Sequence, residues 1–68
     1  MEEFQLVGPY ITLGQLLKAA DFISSGGETK LFLSRAKVLI NGELDIRRGR
    51  KLVSGDIVKI GKRELQIR

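Results

Sequence analysis

KVLING, residues 37–42, is where the chain changes its period. Val38 and Ile40 alternate in the two-residue repeat of a strand with one face toward a core, and Asn41-Gly42 follows at once. That dipeptide is the strongest short hairpin signal, because both central residues of a type I′ turn need positive φ, which Asn and Gly tolerate. A strand therefore ends at Ile40, and the residues before Lys37 follow a different rule from those after Gly42.

Upstream the rule is helical. Thr12 and Gln15 have the spacing of a capping box, and Leu13, Leu16, Leu17 and Ala20 follow at positions that share one helical face. Ser25 and Glu28 repeat the capping spacing within a Ser24-Ser25-Gly26-Gly27 break, and Thr29, Phe32, Leu33 and Ala36 mark a second apolar stripe. Two short helices in a hairpin are expected. Downstream the strand rule continues. Gly55-Asp56 makes a turn, Val58 and Ile60 alternate, and Gly61-Lys62 leads to alternating Leu65 and Ile67. At least three strands follow the helices, and Phe4 and Leu6 before Gly8-Pro9 suggest one more. The fold class is α+β, a helical hairpin followed by a small antiparallel β-sheet, with residues 1–68 as a single domain.

A chain of 68 residues is near the lower limit at which one core holds without staples. Cysteine is absent, so neither disulfides nor thiolate metal sites are available. Hydrophobic residues make up 43% and charged residues 29%, with one proline, a globular balance without low-complexity tracts. The longest run free of charge, Phe4 to Leu17, is interrupted by Gln5, Gly8, Pro9, Thr12, Gly14 and Gln15, so it suits neither a bilayer span nor a signal sequence. A cytoplasmic protein without a membrane partner is expected.

The net charge of +4 is unevenly distributed. Residues 1–29 set Lys18 against Glu2, Glu3, Asp21 and Glu28, whereas residues 30–51 set Lys30, Arg35, Lys37, Arg47, Arg48, Arg50 and Lys51 against Glu43 and Asp45. Four of those cations crowd around Gly49, where they repel one another unless an anion relieves them. Such clustering points to a polyanionic partner, although charge runs also serve as plain solvated surface. Lying outside both apolar stripes, Arg47, Arg48, Arg50 and Lys51 are expected to be replaceable without cost to folding.

Histidine is absent, which removes the usual general base near neutral pH and the commonest metal ligand. Every Asp and Glu lies beside turn, cap or surface signals. No catalytic residue, metal site, cofactor or small-molecule substrate is expected. Gly26-Gly27-Glu28-Thr29-Lys30 lacks the Gly-Lys-Ser/Thr ending of a nucleotide-binding loop. Two readings remain open for Gly26 and Gly27, a tight interhelical turn or exposed amides that receive a backbone phosphate. Only Phe4, Tyr10, Phe22 and Phe32 are aromatic, which disfavours a single-strand reader built on stacking and favours recognition of RNA shape and phosphates.

Ser25, Thr29, Phe32 and Leu33, then Val38-Leu39-Ile40-Asn41-Gly42 and Leu52-Val53-Ser54-Gly55-Asp56-Ile57-Val58, together resemble the S-four RNA-binding domain, or alpha-L motif, over residues 11–60. Ser24 to Gly27 and Arg47 to Leu52 look more narrowly like the small free-standing YaaA/YbcJ-type proteins. The resemblance implies RNA binding through the helical hairpin and the loop between strands, most often on ribosomal RNA. Many members have Arg where Gly26 stands and begin the first helix with Arg-Leu-Asp where this chain reads Thr12-Leu13-Gly14. The cations at Lys30, Arg47, Arg48, Arg50 and Lys51 would compensate.

The expected function is therefore a non-enzymatic module docking on structured RNA, ribosomal RNA or a ribosome-assembly intermediate. Its candidate contacts are Lys18, Gly26, Gly27, Lys30, Arg35, Lys37, Arg47, Arg48, Arg50 and Lys51. The alternative is a protein interaction module whose basic face meets an acidic partner.

Overall fold

In the computed structural model, which describes residues 1–68, the Thr12 hydroxyl accepts the Gln15 amide at 3.2 Å and the Thr12 amide donates to Gln15 Oε1 at 2.9 Å. This reciprocal box opens helix α1, Leu13–Ala19, and Leu13, Leu16 and Leu17 are fully buried beneath it. The second helix begins otherwise. Ser25 caps no amide with its side chain, and a short 3-10 turn over Gly26–Glu28 leads into α2, Thr29–Arg35. The Glu28 carboxylate turns back to accept the Ser24 and Ser25 hydroxyls. The second box thus fails because Ser25 serves as donor to Glu28 rather than acceptor for a helical amide. The second stripe is kept, with Thr29 and Leu33 buried and Phe32 and Ala36 packed against the core.

Seven short strands accompany the helices: β1 (Glu2–Phe4), β2 (Ile11–Thr12), β3 (Val38–Ile40), β4 (Glu43–Leu44), β5 (Lys51–Leu52), β6 (Ile57–Ile60) and β7 (Arg63–Ile67). The main sheet has the order β1-β7-β6-β3-β4, and β2 pairs β5 in a separate two-stranded ladder. In the β3–β4 hairpin, Ile40 faces Glu43 across a two-residue turn, with Asn41 at φ 52° and Gly42 at φ 87°, as a type I′ turn demands. The hairpin is tied further when Asn41 Nδ2 donates to Asp56 Oδ1 at 3.0 Å and Asn41 Oδ1 accepts the Ile57 amide at 2.9 Å.

Strands β3, β4, β6 and β7 are antiparallel, whereas β1 joins the edge parallel to β7. That pairing spans nearly the whole sequence. Arg63 grips Glu2 through two nitrogens, at 2.6 and 2.8 Å, and Arg68 holds Glu3 at 2.6 Å. The acidic start of the chain thus neutralises its basic end. Val38, Ile40, Val58, Ile60, Leu65 and Ile67 project from the sheet into the interior, and all but Leu65 belong to one cluster with the α1 leucines, Ile23, Leu33 and Leu52.

Candidate nucleic-acid interface

The basic stretch is held against the first turn of α1. A helix leaves its first amides without intrahelical partners. Here the Leu13 amide donates to the Arg50 carbonyl at 2.8 Å and the Gly14 amide to the Arg48 carbonyl at 2.9 Å. The neighbouring β2–β5 ladder, Ile11 with Leu52 and Thr12 with Lys51, extends the same contact. Gly14 allows the approach, since a Cβ there would lie 3.3 Å from the Arg48 carbonyl oxygen.

Inside the loop, Asp45 is 9% exposed and takes four hydrogen bonds. Arg47 donates to it from its main-chain amide at 2.9 Å, from Nε at 3.1 Å and from Nη2 at 2.8 Å, and Arg50 donates from Nη1 at 2.9 Å. The Arg47 side chain, then its main-chain amide, hold the Asp45 carboxyl far below the usual carboxylate range, against the opposing effect of burial. Asp45 is therefore the exception to the expectation that every acid lies at a turn, cap or surface. It supplies from within the stretch the counter-charge that the crowded cations require. Arg47 and Arg50 are consequently parts of the loop's own structure, and replacing them would strand a mostly buried carboxylate, contrary to the expectation that all four cations are dispensable for folding.

The remaining candidates divide by location. Lys30 and Arg48 line one open groove with Leu33, Ser34 and Ile46, and neither makes an ion pair. Lys51, next along the chain from Arg50, lies with Nζ 4.8 Å from the centre of the Tyr10 ring. Arg35 belongs to a separate groove with Glu28, Leu31, Phe32 and Ala36. Lys37 is exposed between α2 and β3, and Lys18 lies in the last turn of α1, at the opposite end of that helix from the docked loop.

Gly26 and Gly27 are exposed and neither has positive φ, so no special backbone angle demands glycine there. Beside them in the chain, the Glu28 carboxylate accepts the Ser24 and Ser25 hydroxyls, and its pKa is lowered chiefly by Ser24. No three carboxylates come together as a metal site would need, and no helix is long and apolar enough to cross a membrane. Two features of the interface have almost no local signature in sequence, the inward turn of Asp45 and the role of Gly14. The strand-like alternation of Leu44-Asp45-Ile46, with the acid flanked by aliphatics, is the one signal that could have marked Asp45.

Fold and site define a small α+β module in which a cationic loop is clamped to the start of a helical hairpin. The chain belongs to the S4-domain family, whose family model matches residues 4–68. It is similar to the probable ribosome maturation protein RlbA of Bacillus subtilis (strain 168), with 64% identity over 50 residues, covering 74% of this chain and 70% of that protein.

Proposed function

We propose that this protein is a non-enzymatic RNA-binding module that works in the cytoplasm and docks on structured ribosomal RNA or on a ribosome-assembly intermediate. The observation that carries the reading is the set of cations without a carboxylate partner, Lys30, Arg48 and Lys51, on or beside a loop whose backbone is fastened at Leu13 and Gly14. A fastened backbone leaves less of the loop to order when phosphates arrive, and each contact releases a condensed counterion. Membership of the S4-domain family and the similarity to a probable ribosome maturation protein support the ribosomal partner.

Titration of the protein into ribosomal RNA at several salt concentrations tests the reading. Three phosphate contacts give a log-log slope of about −2 to −3. Crosslinking in cells followed by sequencing of the attached RNA then names the partner. A saturable protein partner that survives ribonuclease, with no salt-sensitive RNA binding, would instead establish the acidic-protein alternative.

A further inference from the structure

Leu44, Asp45 and Ile46 reverse the usual order of burial. Asp45 is 9% exposed, while Leu44 and Ile46 on either side are 63% and 56% exposed. Carboxylates are rarely taken inside, and this one is kept there only by its four hydrogen bonds, while two aliphatic side chains beside it are left out. The hydrogen bonds from Arg47 and Arg50 hold Asp45 inward, and strand-like alternation then turns Leu44 and Ile46 outward. Departures from local rules of this kind concentrate at functional sites.

Ile46 forms one side of the groove between α2 and the loop, with Leu33 and Ser34 lining it and Lys30 and Arg48 as its cations. The groove has a volume of about 270 Å³. This falls just below the roughly 300–1,000 Å³ of clefts that enclose a whole small ligand, so one planar group fits better than an entire molecule. A continuous A-form duplex offers phosphates and hydroxyls to such a surface, but nothing that matches an exposed isoleucine sharing a groove with two cations. An unstacked base does match it, because bases splayed from loops and bulges stack on the flat face of an arginine guanidinium, and an apolar side chain can pack against an extruded base.

We propose that this groove receives one unpaired nucleotide of the bound RNA, with its base against Ile46 and the Arg48 guanidinium and its phosphate on Lys30. The inference rests on the RNA-binding reading and goes beyond it, since it assigns preference for a bulge or loop over an uninterrupted duplex. Ser34 already donates its hydroxyl proton to the Leu31 carbonyl at 2.7 Å, so toward the base it can only accept.

Two RNA hairpins with the same stem, one fully paired and one carrying a single bulged 2-aminopurine, form the test. Wild-type protein should bind the bulged hairpin at least about five-fold tighter, the lower end of what one base contact contributes. Binding should also change the fluorescence of the bulged base. Ile46→Ala should abolish the preference and the fluorescence change while keeping wild-type melting. Arg48→Gln should weaken binding to both. Equal wild-type affinity for the two hairpins, or a preference that survives Ile46→Ala, would overturn the nucleotide groove and leave RNA binding standing. Failure to bind either hairpin, with an acidic protein fragment bound instead through Ile46, would overturn both.

Discussion

The Gly14 amide donates to the Arg48 carbonyl at 2.9 Å, so the first turn of α1 and the centre of the basic loop share one hydrogen bond. Thirty-four positions of sequence separate them, yet the bond sets where the Arg48 backbone lies. Replacing Gly14 by alanine would ordinarily favour a helix by roughly 0.5–1 kcal/mol, but here the new Cβ would stand 3.3 Å from that carbonyl oxygen. Gly14→Val, with two more carbons to place, should cost about 1–3 kcal/mol as overpacking does. At about 4–8 °C per kcal/mol for a domain of this size, the loss is measurable in a thermal melt. Wild-type melting would show that the loop is free to move away.

The cations of the stretch should separate into two pairs. Arg48→Gln with Lys51→Gln should cost no more than about 1 kcal/mol, because neither side chain has a carboxylate partner and only the Lys51 contact with the Tyr10 ring is lost. RNA binding by this variant should show a salt slope flatter by up to about 2. Arg47→Gln with Arg50→Gln should instead lower the melting temperature, since Asp45 would keep its burial and lose three side-chain hydrogen bonds. Equal melting of the two double variants would contradict the structural role of Arg47 and Arg50.

Acid should loosen the loop through Asp45. Its pKa is lowered in the folded protein, first by the Arg47 side chain, so the folded state favours the ionised carboxylate more than the unfolded chain does. The resulting stability is fully present above the unfolded value near ~4 and declines as pH falls below it toward the folded value. Urea midpoints measured from neutral pH downward should therefore fall once the pH passes ~4. Glu2 and Glu28 are lowered in the same direction by Arg63 and Ser24, but both are exposed and screened by solvent. Asp45→Asn isolates the loop's share, because its midpoint should start lower and decline less. A variant with the same pH profile as wild type would assign the acid sensitivity to the other carboxylates.

Leu17 is fully buried under α1 within the central cluster. Leu17→Ala should cost about 2–5 kcal/mol, which is much of the total stability expected of so small a domain. Circular dichroism during a urea titration checks this, and an unchanged midpoint would contradict the burial.

Much of this protein is determined by neighbours along the chain, and that part was legible. The Thr12–Gln15 box, the leucines at helical spacing and the Asn41-Gly42 turn each act across four residues or fewer, so their geometry follows from residue type and spacing. The S-four resemblance rests on the same short motifs. Other features required the chain to meet itself. Glu2 and Glu3 look like frayed terminal acids until β7 brings Arg63 and Arg68 beside them, 61 and 65 positions away. Asp45 looks like another surface acid until the Arg47 and Arg50 side chains fold back over it. Gly14 looks like a weak helical residue until Arg48 arrives. The placement of Lys30 with Arg48, and of Arg35 apart from them, was likewise decided by tertiary packing. Charge counts add without regard to position, whereas pairing and burial depend on distances that only the closed chain defines.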